Sequence, residues 1–194
     1  MQISLNSILI LLSFVLEPIN ANGQALFGVK SGVLEQRIHG NGEDMTATYY
    51  FDDYGNKSCT LTNNEDSDSL KIGMLKVNGK AYIVNKTEGT GIEMPYQKQI
   101  NYLNPDAETI KEYDIEILGK DTILGRECTV ATTRITKSEP ILRLKLWIYK
   151  GIPLKTISQT KEVEITQETI TFDENATIPE EMFAIPKIED ELYE

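Results

Sequence analysis

Apolar and polar residues alternate with a period of two along much of this chain, and this pattern most constrains its fold. The alternation recurs in short segments between residues 30 and 172, and residues that favour turns separate the segments. It is clearest in residues 141–149, where Leu142, Leu144, Leu146 and Ile148 share one face of a strand. A period of two is typical of strands with one buried face, and turns spaced about 8–12 residues apart favour an all-β architecture. The pattern therefore predicts a mainly β fold.

Turn and helix signals refine this prediction. The pair Asn78-Gly79 predicts a two-residue hairpin, because both central residues of a type I′ turn need a positive φ. Residues 105–112 favour a short helix, with Asn104 as the capping residue, Pro105 at the first helical position and acidic residues in the first turn. Residues 179–183 favour a second short helical turn. The prediction is therefore mainly β with a minor helical part, in the α+β sense.

An antiparallel sheet with one apolar face must cover that face. We expect a strongly curved antiparallel half-barrel with one or two short helices over its concave face. A curved sheet that is incompletely filled leaves an apolar cavity, and such cavities hold lipids or other hydrophobic ligands. The alternation predicts the following cavity lining: Met45, Tyr49, Phe51, Leu124, Val130, Leu144, Leu146, Ile148, Val163 and Ile165.

The N-terminal segment has a different character. Residues 3–16 are almost uninterruptedly apolar, but this run is shorter than the roughly 20 residues that span a membrane. It predicts a signal peptide of residues 1–25, cleaved after Ala21 or after Ala25. The alternative is a buried N-terminal helix or strand. Residues 26–194 would then form a single domain, with residues 187–194 as a frayed acidic tail.

Composition excludes several classes of function. The 194-residue chain has 30 acidic residues against 19 lysines and arginines, a net charge of −11, which argues against nucleic-acid binding and docking on anionic lipid headgroups. A single histidine and two cysteines offer little material for metal or nucleophile chemistry. We therefore expect no metal, no cofactor and no enzymatic activity. A hydrolase that uses scattered carboxylates is the enzymatic alternative.

The two cysteines have two open interpretations. If the chain is exported, Cys59 and Cys128 meet an oxidising compartment in which a disulfide between them would persist. Each also lies beside apolar residues in an alternating segment, so the alternative is two separate buried thiols.

Four motifs of the chain resemble a known family. They are residues 50–55 (Tyr-Phe-Asp-Asp-Tyr-Gly), residues 119–128 (Gly-Lys-Asp-Thr-Ile-Leu-Gly-Arg-Glu-Cys), residues 147–155 (Trp-Ile-Tyr-Lys-Gly-Ile-Pro-Leu-Lys) and residues 179–186 (Pro-Glu-Glu-Met-Phe-Ala-Ile-Pro). With these motifs the chain resembles the LolA/LolB-like superfamily of envelope proteins, in particular its small exported branch. The resemblance implies a half-barrel with helices over the concave side, a periplasmic or outer-membrane setting in a Gram-negative envelope, and carriage of acyl chains.

The third motif has two open interpretations. Gly151 and Pro153 are either a structural turn between two strands or a gate to the ligand.

Together these observations predict an exported, non-enzymatic protein that binds a hydrophobic small molecule or acyl chain, with a role in lipoprotein or lipid handling. Another envelope protein is the further partner that we consider, and neither nucleic acid nor a transmembrane span is expected. The main alternative is an interaction or scaffold module of the envelope with a filled core and no ligand.

Overall fold

A computed structural model describes residues 24–40, 42–63, 72–95, 100–135 and 141–188. In these ranges twelve strands form one open sheet in the order β12-β6-β5-β4-β3-β2-β1-β11-β10-β9-β8-β7. The strands are β1 Gly32–Gly40, β2 Glu43–Asp52, β3 Lys57–Asn63, β4 Ile72–Val77, β5 Lys80–Asn85, β6 Thr90–Met94, β7 Glu116–Ile123, β8 Arg126–Ile135, β9 Leu142–Tyr149, β10 Ile152–Gln159, β11 Glu164–Glu174 and β12 Lys187–Ile188. The predicted fold class, a mainly β curved and open antiparallel sheet with little helix, is confirmed.

Short hairpin turns connect most neighbouring strands. The turn between β4 and β5 is Asn78-Gly79 with φ angles of 54° and 72°, so the hairpin predicted from this pair is confirmed. The turn between β9 and β10 has the same form, since Lys150 and Gly151 have φ angles of 48° and 84°. Two consecutive positive φ angles match the right-handed twist of the flanking strands.

The one α-helix of the described ranges, α1, spans Ala107–Glu112. Its N-cap is Asp106, whose side chain accepts a hydrogen bond of 2.7 Å from the backbone nitrogen of Thr109. The prediction of Asn104 as the cap is therefore wrong by two residues. The reason is that Asn104 belongs to the preceding turn, where its backbone nitrogen donates to the Asn101 side chain.

The C-terminal region differs from the prediction in one respect. Residues 187–194 were expected to be frayed, but Lys187–Ile188 pair in parallel with Thr90 and Gly91 of β6. The backbone nitrogen of Lys187 also donates to the oxygen of Gly89 at 2.9 Å. This correction follows from β6, a strand that the sequence pattern did not predict; residues 189–194 lie outside the described ranges.

Two bulges bend the sheet near its centre. The pairing of β1 with β11 shifts between Glu35 and Gln36, which leaves Ile170 as an extra residue. The pairing of β9 with β10 shifts between Pro153 and Lys155, which leaves Leu154 as an extra residue. A bulge bends its strand and increases the local twist, so these positions account for much of the curvature.

Four apolar clusters cover the two faces. We call the face that carries Ile38, Met74 and Leu146 the inner face, and the opposite face the outer face. The inner face holds one cluster around Ile38 and another around Leu146, and Tyr102 from the segment before α1 packs on the latter. The outer face of β3–β5 is covered by Phe183, which belongs to a 3-10 turn at Glu180–Phe183. That turn was expected over the same face as the first helix, but it packs on the other one.

The fourth cluster closes one end of the sheet. The segment before β1 crosses this end and buries Leu26 and Phe27, and the Phe27 ring meets the Phe51 ring edge-on at 5.0 Å. Backbone hydrogen bonds fix the segment at both sides, from Phe27 to Tyr54 and from Gly28 to Lys150. Residues 24–30 are therefore an integral part of the fold.

Candidate functional site

Most of the residues predicted to line a cavity lie on the inner face. Register places seven of them there, divided among three clusters: Tyr49 and Phe51; Met45 and Ile165; and Leu144, Leu146 and Ile148. Phe51 is fully buried and Tyr49 nearly so. These side chains therefore form much of the packed interior, and they do not meet as one continuous lining.

Three of the predicted lining residues lie elsewhere. Val130 pairs with Trp147, so its side chain shares the outer face with Trp147 and not the inner face with Leu146. Leu124 occupies the hairpin turn between β7 and β8 with a φ of 49°, and 43% of it is exposed. Val163 precedes β11 and packs at the margin of the cluster around Ile38. Leu124 therefore lies outside the packed interior, whereas Val130 is buried in the same cluster as Tyr49 and Phe51.

The accessible apolar surface of the inner face lies on β4, β5 and β6. Met74, Ile83 and Ile92 stand directly opposite one another on these three strands. Met74 is buried, Ile83 is partly exposed, and 41% of Ile92 is exposed. We call this row, with its flanking residues Ile72 and Met94, the β4–β6 strip. The sequence analysis missed it because β6 was not recognised as a strand.

Buried polar groups border this strip on the same face. Thr60 stands directly opposite Met74, and its hydroxyl is buried with no hydrogen-bond partner among the described residues. Lys76 follows Met74 by two residues on β4, so it lies on the same face, and it is almost completely buried. A buried hydroxyl without a partner costs free energy. The inner face thus combines an apolar strip with polar groups at its edge.

Gly151 and Pro153 form a fixed turn. A Cβ atom on Gly151 would lie 2.3 Å from the backbone oxygen of Leu26, so the turn is in close contact with the N-terminal segment. Gly28 donates to Lys150 at 2.8 Å in the same place. This geometry agrees with the structural-turn interpretation, and it gives the gate interpretation no support.

The two cysteines do not form a disulfide. Cys59 on β3 lies under Phe183 in the outer-face cluster, whereas Cys128 on β8 belongs to the cluster at the end of the sheet. Five strands separate β3 from β8, and a disulfide needs its Cα atoms within about 7 Å. The disulfide prediction is therefore wrong, and the alternative of two buried thiols is correct. Burial raises the pKa of the Cys128 thiol.

A charged group stands beside the end cluster. Arg126 donates to Glu174, and Lys150 and Tyr149 approach the same carboxylate. Burial alone would raise the pKa of Glu174, but the hydrogen bond from Arg126 and the charge of Lys150 outweigh burial and lower it. Nearby, the indole of Trp147 donates to Asp121 at 2.9 Å, and this hydrogen bond is the main reason why the pKa of Asp121 is lowered.

Nowhere in the described ranges do three or more His, Cys, Asp or Glu side chains converge as a metal site would require. The same ranges contain no helix with the length and hydrophobicity of a membrane span.

A family model for a domain of unknown function, DUF4412, matches residues 31–153. The chain belongs to the DUF4412 family. The match runs from the segment before β1 to the start of β10, so the β4–β6 strip lies inside the DUF4412 region and β11 lies outside it. No curated protein matches the chain significantly.

Solved structures share the DUF4412 fold. An uncharacterized conserved protein from Thermus thermophilus matches with a TM-score of 0.54 and 9% identity over 84% of this chain and 91% of that one. A chain of the Pseudomonas aeruginosa MucA/MucB complex matches with a TM-score of 0.53 and 14% identity, over 85% of this chain but only 58% of that one. The Mycobacterium tuberculosis lipoprotein LppX is a weaker match, with a TM-score of 0.43, 10% identity and coverage of 78% and 91%. At 9% and 14% identity, the two matches with TM-scores above 0.5 show a shared fold.

Proposed function

We propose that this protein binds a hydrophobic ligand of the acyl-chain type against the inner face of its open sheet. The observation that carries the proposal is the row Met74–Ile83–Ile92, which runs across three strands and becomes more exposed towards the sheet edge. A soluble domain gains nothing from an apolar row on an accessible inner face unless something apolar covers it. The role proposed is non-enzymatic lipid or lipoprotein handling.

The energetics suit an acyl chain. Each buried methylene contributes about 0.8 kcal/mol, so ten of them contribute roughly 8 kcal/mol before the cost of immobilising the ligand is subtracted. Met74 and Met94 have flexible thioether side chains, which adapt to chains of different length.

Export is part of the same proposal. Residues 1–23 lie outside the described ranges, and we propose that residues 1–25 contain a signal peptide that delivers residues 26–194 as one domain to the periplasm of a Gram-negative envelope. The LolA/LolB-like fold supports this setting.

A fluorescent fatty acid tests the ligand. Wild-type protein should bind it saturably, and Ile83→Asp should abolish uptake, because a carboxylate would interrupt the β4–β6 strip. The matched control is Ile117→Asp on β7, a more exposed isoleucine at the other edge of the sheet. If wild type takes up no fatty acid, or if both variants lose uptake equally, the proposal fails.

A second candidate function is the docking of a protein partner. Strand β7 is a sheet edge on which Ile117 and Leu118 are 62% and 50% exposed, and one similar fold occurs in the MucA/MucB complex. An exposed edge offers unpaired backbone groups to a partner strand. Under this alternative Ile117→Asp would abolish capture of the partner from an envelope extract, whereas Ile83→Asp would leave capture intact.

A further inference from the structure

A cavity of about 550 Å³ lies at the end of the sheet remote from the N-terminal segment. Its lining residues come from β7 to β11 and from the segment between α1 and β7: Asp114, Glu116, Thr132, Thr133, Arg134, Arg143, Leu144, Lys145, Ile157, Gln159 and Glu164. Cross-strand pairing places Arg134 opposite Arg143 and Thr132 opposite Lys145. These bases therefore share the outer face, away from the β4–β6 strip on the inner face.

Arg134 and Arg143 of this cavity stand directly opposite each other. Directly opposed like charges on neighbouring strands destabilise a sheet. Among the described residues no carboxylate lies within ion-pair distance of Arg134 or Arg143. The Nε atom of Arg134 is also buried without a hydrogen-bond partner, which costs further free energy. An anion between the two guanidinium groups would remove the repulsion between them.

The acidic residues of the cavity stand at its two sides. Glu164 is paired with Gln159, which is in turn opposite Arg143, so this acid lies two strands away from the arginine. On the other side, Glu116 is paired with Thr132, next to the arginine row. The cavity is therefore positive in the middle and negative at its margins. It fits a ligand with a central oxyanion and with hydroxyl or amine groups around it.

We propose that this cavity is a binding site for a phosphate ester. Guanidinium groups bind tetrahedral oxyanions through paired hydrogen bonds, and Lys145 supplies a third positive charge. The volume is that of a small-molecule site and far exceeds a bare ion, so the phosphate carries an organic group. A soluble phosphorylated compound and a phospholipid headgroup share this chemistry. The site lies on the opposite face from the β4–β6 strip and does not depend on acyl-chain binding.

The protein contains a reporter for this site. Trp147 is the only tryptophan of the chain, and the ammonium group of Lys145 lies 5.0 Å from the centre of its ring. A ligand that engages Lys145 would change this contact and with it the tryptophan fluorescence. The experiment is a fluorescence titration of the full exported chain with sn-glycerol 3-phosphate and, separately, with inorganic phosphate.

We expect a saturable signal with glycerol phosphate, and affinity about tenfold weaker in Arg134→Gln and in Arg143→Gln. The matched control is Arg37→Gln, which removes an exposed arginine from the outer face of β1, outside the cavity, and should bind like wild type. No saturable signal in wild type, an equal loss in Arg37→Gln, or binding of inorganic phosphate alone would overturn the proposal.

Thermal unfolding gives a second readout that a merely structural role would not produce. Without ligand, Arg143→Gln should melt at the same temperature as wild type or higher, because it relieves the repulsion with Arg134. At the same concentration, glycerol phosphate should raise the Tm of wild type more than that of Arg143→Gln, because the variant binds it more weakly. A lower Tm of ligand-free Arg143→Gln, with the usual shift on adding glycerol phosphate, would contradict the site.

Vesicles distinguish the two sources of the phosphate ester. Co-sedimentation with phosphatidylglycerol vesicles, absent with vesicles of the uncharged digalactosyldiacylglycerol and displaced by glycerol phosphate, would identify a lipid headgroup. Glycerol phosphate binding without co-sedimentation would identify a soluble ligand. Co-sedimentation that Arg143→Gln leaves unchanged would contradict a headgroup at this site.

Discussion

The guanidinium of Arg126 on β8 donates a hydrogen bond of 2.8 Å to the carboxylate of Glu174 on β11. Two strands lie between β8 and β11 in the sheet, so a flat sheet would hold them about 14 Å apart. The same guanidinium stacks 4.8 Å from the ring centre of Phe172, also on β11. Arg126 thus links β8 to β11, and these strands come close enough for this contact only because the sheet is curved.

Loss of the interaction between Arg126 and Glu174 should destabilise the fold. Both partners are largely buried, and a hydrogen bond between charged groups in such a position contributes about 2 kcal/mol. Arg126→Ala should therefore lower the free energy of unfolding by about 2 kcal/mol in urea denaturation.

Lys120→Ala is the matched control. It breaks a highly exposed ion pair between Lys120 on β7 and Glu127 on β8. Exposed pairs contribute between about 0 and 1 kcal/mol. Equal losses in the two variants would show that Arg126 does not hold the curvature.

The lowered pKa of Glu174 makes this contribution depend on pH. A carboxyl group whose pKa is lower in the folded than in the unfolded state stabilises the fold above its ordinary pKa of 4.5. That contribution is lost as the pH falls through the folded-state value. The stability difference between wild type and Glu174→Gln should therefore be largest at neutral pH and disappear in acid.

Denaturation between neutral pH and pH 3 measures this difference, with Arg126→Ala as the background of a double-mutant cycle. In that background the substitution of Glu174 should cost less at neutral pH. A cost that is the same at every pH would contradict the account.

The sequence predicted those parts of the fold in which local pattern and tertiary environment agree. Residues 141–149 alternate strictly and form β9, and Asn78-Gly79 forms the expected turn. β6 was missed because Thr90–Met94 is short and includes Gly91, whose missing side chain makes room for Pro186.

The candidate site was only partly predictable, because register decides which residues share a face. Val130 was grouped with Leu144 and Leu146, yet its pairing with Trp147 puts it on the opposite face of the sheet from them, where it packs in the cluster of Phe51. The arginine pair was not singled out either, because the sequence does not specify that Arg134 and Arg143 stand opposite each other.

Two turn glycines provide a matched test of the N-terminal segment. Gly79 and Gly151 occupy the second position of similar hairpin turns with φ angles of 72° and 84°. A Cβ atom on Gly79 would meet nothing, whereas one on Gly151 would collide with the Leu26 backbone. Gly79→Ala should cost about 1 kcal/mol for the backbone strain alone, and Gly151→Ala should cost clearly more. Thermal unfolding of both variants checks this, and equal shifts in Tm would show that residues 24–30 do not pack as described.

The same segment predicts where the proposed signal peptide is cleaved. The Ala25 carbonyl accepts a hydrogen bond from the Asn101 side chain, and Leu26 and Phe27 are buried beside it. Cleavage after Ala25 would remove that carbonyl and place a charged amino group on Leu26, next to the core. We therefore expect the mature protein to begin at Asn22, after cleavage at Ala21. Intact-mass measurement of the exported protein decides between the two sites, and a mature chain that begins at Leu26 would contradict this expectation.

Native mass spectrometry of the protein purified from an envelope fraction tests acyl-chain binding most directly. The account predicts adducts with the masses of acyl lipids on wild-type protein and on Ile117→Asp, and their loss from Ile83→Asp, which interrupts the β4–β6 strip. Wild-type protein that carries no lipid and takes up none from added fatty acid would contradict it.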